Sequence, residues 1–274
     1  MIAFAGNSVL CRLALAEGSI DAASFTSLRL LSGTLVLVLI LKLSSAKNSF
    51  RGQGSWLSAA ALFCYATAFS FAYNSLQTGT GALILFGAVQ LTMIGAALLS
   101  GERLWLSEST GAVLAFAGLI YLVSPGIAAP PVTGALLMAG SGIAWGIYCL
   151  RGRRVKAPLA ETSGNFLLCL PLVALLSLFS RQQWHLSLPG VGLAILSGGI
   201  ASGIGYVVWY AALRGMTATT AAIIQLIVPA LAALGGVIFL SEEISLRFII
   251  STTAILGGVG LAVAGHKFFG RIGG

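Results

Sequence analysis

Charge is what this sequence lacks most: only 8% of its 274 residues are charged, and seven of those are acidic. A soluble domain usually carries about 25% charged residues, and a globule of this length still shows much of its surface to water. With 58% hydrophobic residues and a mean hydropathy of +0.99, a water-facing shell cannot be assembled. Lipid is the solvent that resolves this, and the chain is expected to be an integral membrane protein. Cysteine is sparse too. Cys11, Cys64, Cys149 and Cys169 are scattered through apolar stretches with no CxxC or ligand-like spacing, so they read as small packing residues. No HExxH helix, buried Asp pair or Ser/His pairing is present, which tells against a membrane-embedded enzyme. The glycines of GTGALILFG and GGIASGIG lie inside apolar runs, not between a strand and a helix, which tells against a nucleotide loop. No cofactor or metal is expected.

What is present in excess is apolar run after apolar run. Crossing the hydrocarbon takes roughly 20 apolar residues per helix. Ten runs qualify, at about 2–16, 23–43, 55–74, 79–99, 106–124, 132–150, 160–180, 190–211, 217–240 and 245–264. The first is short, and because the runs recur along the whole chain it is not expected to be a removable signal peptide. The formal net charge is +8, yet the basic residues sit in short segments between the runs, as topology signals do and a nucleic-acid groove does not. With a cytoplasmic N-terminus, the inside segments hold Lys42, Lys47, Arg51, Arg103, Arg151, Arg153, Arg154, Lys156, Arg214, Lys267 and Arg271. The outside loops hold Arg181 and Arg247. Both termini are therefore expected in the cytoplasm, with the protein in the inner membrane.

The two halves of the chain resemble each other. A shift of 140 residues places Ala82 on Ala222, Leu91 on Leu231, Gly95 on Gly235, Glu102 on Glu242 and Gly118 on Gly258. Slightly upstream a shift of 137 pairs Tyr73 with Tyr210 and Leu76 with Leu213. Five spans per repeat is an odd number, so the two halves must be inverted with respect to each other. Inverted repeats are a mark of transporters, with the substrate site near the midplane between the halves. The fold class expected is all-α and polytopic: ten transmembrane helices as two inverted five-helix repeats, 1–128 and 129–274.

The segments FTSLRLLSG, LLSGERL followed by GAVLAFAGLIYLV, and IVPALAALGGVIFLSEEIS followed by ILGGVGLAVAG resemble the EamA type of the drug/metabolite transporter superfamily. The resemblance covers essentially the whole chain. It departs from the family pattern at Val89, where the second half has Pro229, and in the first span, where Asn7 stands near the position of a frequent tryptophan. Within the family the chain is most similar to YddG-type aromatic amino-acid exporters. The resemblance implies export of amino acids, aromatic ones first, by alternating access. Another small metabolite or drug, such as a nucleoside or another amino acid, and proton-coupled antiport are the alternatives; a membrane enzyme and a channel rank below them.

Polar and aromatic residues inside spans are the candidate substrate-binding groups. Tyr65, Phe69 and Tyr73 form a stripe at i, i+4, i+8 on span 3. Trp145 and Tyr148 share a face of span 6, and Tyr206, Trp209 and Tyr210 a face of span 8. Asn7, Gln90 and Gln225 bring amides into spans 1, 4 and 9. Together they suit an apolar, ring-accepting pocket with a few donors and acceptors. The competing readings are interfacial anchoring for Tyr73 and Tyr210, packing for Trp145, Tyr148 and Tyr206, and interhelical hydrogen bonding for the glutamines. Arg12 and Arg29 are expected to snorkel at the outer ends of spans 1 and 2 and to pair with Glu17 or Asp21, in preference to holding a substrate carboxylate. Glu102 and Glu242 are expected to close loops or to meet a neighbouring helix N-terminus, in preference to touching substrate. All seven carboxylates, with His185 and His266, fall outside span interiors, so facilitated transport is favoured over proton coupling. The partners expected are a small-molecule substrate and membrane lipid, with no nucleic acid, and the protein is expected to be a monomer.

Overall fold

The computed structural model describes residues 1–44, 54–99, 106–126, 129–152, 155, 157–213, 225 and 227–269. Among them the protein is helical, with one isolated bridge between Ile20 and Leu186. The helices are α1 (Ile2–Ala16), α2 (Ala22–Leu43), α3 (Trp56–Tyr73), α4 (Thr78–Leu99), α5 (Leu106–Val123), α6 (Val132–Gly152), α7 (Pro158–Phe179), α8 (Leu188–Ile195), α9 (Gly205–Leu213), α10 (Ile227–Leu240) and α11 (Leu246–Phe269). α8 continues through a π-helical segment, Leu196–Ile204, directly into α9. Among the described residues six helices are long and apolar enough to cross a membrane: Ala22–Leu43, Trp56–Tyr73, Thr78–Ala96, Val132–Gly152, Pro158–Phe179 and the continuous Leu188–Trp209. Ile2–Ala16, Ser109–Val123, Ile227–Leu240 and Leu246–Leu261 are shorter apolar stretches.

Local chemistry sets the helix ends. Asp21 caps α2 by accepting from the Ser24 amide, Ser55 caps α3 through Ser58, and Ser187 caps α8 through Gly190. Pro158 opens α7, where its missing N–H costs nothing. Inside the spans, hydroxyls bond back to the carbonyl four residues earlier: Thr26 to Ala22, Thr34 to Leu30, Ser70 to Ala66 and Thr92 to Ala88. A serine or threonine is thereby satisfied without water, as a lipid-embedded core demands. Leucines such as Leu35, Leu39 and Leu43 of α2 and Phe116 of α5 point outward and are exposed, as side chains that face acyl chains do.

Packing partners follow from the small residues. α3 and α4 both pack on α6; the π segment and α10 both pack on α1; α2 lies against α7 and the π segment; α4 meets α10, and α5 runs along α11. α2 and the π segment approach each other closely. A Cβ at Gly198 would overlap the carbonyl of Arg29 and the Ser32 hydroxyl, so only glycine lets these two backbones touch.

That contact makes a prediction. Gly198→Ala forces a methyl onto backbone that cannot yield, and should lower stability by about 1–3 kcal/mol, read as a lower thermal midpoint in detergent. Gly192→Ala on α8, where an added Cβ meets nothing within 4 Å, should leave it unchanged or slightly raised. Equal behaviour of the two variants would show that the α2 contact does not hold the fold.

Candidate functional site

The ring residues of three separate helices meet in one connected group. Trp145 of α6 is stacked on Tyr206 of α9, with centroids 5.4 Å apart and planes at 17°. It also lies 5.4 Å from Tyr148 at 25° and 4.7 Å from Tyr65 of α3. The α3 stripe continues from Tyr65 to Phe69 at 5.6 Å and on to Tyr73 at 4.8 Å. Two phenylalanines that the sequence did not single out complete the group. Phe4 of α1 touches Trp145, Tyr206 and Trp209, and Phe166 of α7 meets Tyr206 edge-on. Nothing in the one-dimensional pattern distinguishes these two from ordinary span phenylalanines.

The remaining candidates are placed as follows. Asn7 is buried and bonds across to the π segment: its Oδ1 accepts from Ser197 at 2.7 Å, and its Nδ2 lies 3.3 Å from the Ser202 Oγ. Tyr73 is fully buried, and its hydroxyl donates to the Thr78 carbonyl at 3.1 Å. Its ring lies over Gly81, where a Cβ would come within 2.5 Å of it. Gln90 is buried on α4 and makes none of the ring contacts above. The side chain of Tyr210 lies outside the described residues, and Gln225 is half-buried between residues that also lie outside them.

Arg29 corrects the expectation of snorkelling. It sits two turns into α2, is only 2% exposed, and is among the largest fully buried side chains. Its Nη2 donates to the Tyr65 hydroxyl at 3.0 Å, its Nε lies 3.4 Å from the Ser202 Oγ, and its Nη1 has no partner. The guanidinium carbon stands 4.8 Å from the Phe69 ring centre and 5.4 Å from that of Tyr65, a favourable cation–π arrangement. Neither Glu17 nor Asp21 reaches it. Asp21 is occupied by the amides of Ser24 and His185.

Arg12 departs from the same expectation in its partner. It pairs with Glu242 at 3.3 Å and donates to the carbonyl of Tyr73 at 2.8 Å. Glu242 also accepts from the Thr78 amide at 2.8 Å, at the start of α4, which is the helix N-terminal role expected for it. One carboxylate therefore ties α1, α4 and the end of α10 together at one end of the molecule. At the opposite end Arg151 donates to Ser58 at 2.9 Å and to Ser55, Glu161 accepts from the Gly54 amide, and Asn165 accepts from the Ser55 amide. Ser58, Arg151, Glu161 and Asn165 line a small recess of about 20 Å³ whose lining includes Tyr148, so the recess reaches the edge of the ring group.

Residues 132–264 match the EamA-like transporter family. Over 86% of the chain and 80% of the relative, the sequence is 30% identical to the threonine/homoserine exporter RhtA of Salmonella typhimurium. The chain belongs to the EamA family of the drug/metabolite transporter superfamily. It is also 52% identical to an uncharacterized protein of Pseudomonas aeruginosa, over 96% of this chain and 92% of that one. A solved crystal structure superposes with a TM-score of 0.66 at 23% identity, covering 97% of both chains, which is evidence for the shared fold. As an EamA transporter the protein is an integral membrane protein. The ring group around Trp145 stands between two tied ends.

The tie at the Arg12 end is testable through Cys11, which is fully buried next to Arg12. In a Cys64→Ala, Cys149→Ala, Cys169→Ala background, Glu242→Gln should raise the rate at which a membrane-impermeant maleimide labels Cys11 by about 10-fold, the loss of one partly buried charged hydrogen bond. An unchanged rate would mean that this carboxylate does not hold that end shut.

Proposed function

We propose that this chain exports amino acids across the inner membrane by facilitated alternating access, with both termini in the cytoplasm. The observation that carries the reading is the sandwich of Trp145 between Tyr206, Tyr148 and Tyr65. It joins α6, α9 and α3 at the centre of the packing, and a flat ring is what such a stack accepts in place of one of its own members. Aromatic amino acids are the leading substrates. The 30% identity to a threonine/homoserine exporter favours a second reading, in which small hydroxylated amino acids are carried.

Ten spans in two inverted halves, 1–128 and 129–274, supply the mechanism. The packing pattern supports them. Taking α8, the π segment and α9 as one span, α3 and α4 on α6 correspond to the π segment and α10 on α1, each element five spans away from its counterpart. α2 on α7, α4 on α10 and α5 on α11 are each a span on its own counterpart. Such a pattern maps onto itself when the halves exchange roles, which is the geometric basis of opening alternately to either side. The placed carboxylates Glu17, Asp21, Glu161, Glu242 and Glu243 lie at helix ends or in turns, and this supports transport down the solute's own gradient.

Proteoliposomes provide the test. Counterflow of tryptophan, phenylalanine, threonine and homoserine should be saturable, and Trp145→Ala should lower kcat/KM for the aromatic pair by about 10-fold or more, the loss of one desolvated ring contact. Preference for threonine and homoserine with no effect of Trp145→Ala selects the second reading. Accumulation driven by an imposed pH gradient alone would overturn the facilitated mechanism.

A further inference from the structure

We infer that Arg29 is the anchor for a carboxylate on the transported solute, bound through the N–H groups of Nη1 and Nη2 after the Tyr65 hydroxyl gives way. The inference rests on the transport reading above and narrows it to solutes that carry a free carboxylate.

A guanidinium stays protonated under all physiological conditions, and burying one unpaired is among the more costly arrangements in a bilayer-depth core. Arg29 is buried by α2, α3 and the π segment, yet its neighbours are all neutral. It bonds the phenol of Tyr65 and the hydroxyl of Ser202 and stacks on the faces of Tyr65 and Phe69, with Cys11 and Tyr206 also close to it. Among the described residues the one ion pair is Arg12 with Glu242, and no carboxylate faces Arg29. Five N–H donors therefore meet two hydroxyl acceptors, and Nη1 is left with none. The missing component is an anion with two acceptor oxygens, because the planar fork of Nη1 and Nη2 matches a carboxylate in two parallel hydrogen bonds.

The geometry also links binding to the ring group. To offer both terminal nitrogens, Arg29 must release the Tyr65 hydroxyl, and the Tyr65 ring stands 4.7 Å from Trp145. A carboxylate arriving at Arg29 thereby loosens one wall of the Trp145 sandwich, which makes room for the rest of the solute. The same positive charge repels amines and permanent cations that lack a carboxylate.

The test compares matched solutes on the purified, full-length protein. Thermal stabilisation in detergent and counterflow in proteoliposomes are measured for tryptophan, tryptophanamide, tryptamine, threonine and indole-3-propionate, on wild type, Arg29→Gln and Arg29→Lys. On wild type the free acids should be held about 10- to 100-fold more tightly than the amide or the amine, the range of a charged hydrogen-bond pair. Arg29→Gln should abolish the difference, and Arg29→Lys should restore it only in part, since an ammonium lacks the fork. The acid-against-amide comparison needs no variant, so a poorly folded Arg29→Gln protein leaves the proposal falsifiable. Equal handling of acid and amide by wild type would overturn it while leaving amino-acid transport standing. Binding of indole-3-propionate but of no amino acid would sustain the anion site and remove the amino-acid reading. If chloride replacing sulfate stabilises wild type as strongly as the acids do, and does so only with Arg29 present, the site holds a fixed inorganic anion and the proposal falls.

Discussion

The close approach of α2 to the π segment is the constraint on which the centre of this molecule depends. Gly198 lets the carbonyl of Arg29 and the hydroxyl of Ser32 press directly against the opposing backbone. Beside this contact the Arg29 side chain is buried. It is directed across to Tyr65 and Phe69 of α3, with Ser202 beneath it. The widened π turn serves the same end: it presents Ser197 and Ser202 on the face toward α1, where they hold the Asn7 amide. A regular α-helix with bulkier residues would keep these hydroxyls, the amide and the guanidinium apart, and π turns of this kind recur at functional sites.

Around that centre the two ends are built with different strengths. At one, Arg12 and Glu242 form an ion pair reinforced by the Thr78 amide and the Tyr73 carbonyl. At the other, Arg151 and Glu161 do not meet; each is spent on neutral groups at the start of α3, and a recess remains between them. The first end joins two opposite charges at a helix N-terminus, whereas the second joins single charges to neutral partners. The recess thus lies at the Arg151 end, and the ring group stands between the two ends.

The apolar runs were legible because lipid imposes one rule on every residue of a span: six of the ten expected runs are helices of membrane length among the described residues, while the first part of the ninth, 217–224, lies outside them. The stripe of Tyr65, Phe69 and Tyr73 was legible for a similar reason, since period alone places them on one face. Arg29 was misjudged because distance along the chain from Asp21 and Glu17 says nothing about which way α2 turns, and Asp21 had already been claimed as a helix cap. Phe4 and Phe166 carried no signal that separates a ring facing a ring from a ring facing an acyl chain. The π segment was invisible as well: its glycines read as ordinary small-residue packing, and only the contact with the Arg29 backbone reveals what they permit.

A transporter must bind its cargo and then let it go, which limits how a buried charge can be arranged. Pairing Arg29 permanently with a buried carboxylate would cancel its attraction for an anion and cost far more to break than any solute repays. Leaving it wholly bare would make the empty protein too unstable to fold. Two hydroxyls and two ring faces lie between these limits. They lower the cost of the empty state, yet each is a weaker partner than a carboxylate, so an incoming anion displaces one of them at a net gain and a departing anion is replaced without a large barrier. Neutral partners that yield to a charged one are what an exchangeable site requires, and the residues surrounding Arg29 are of that kind.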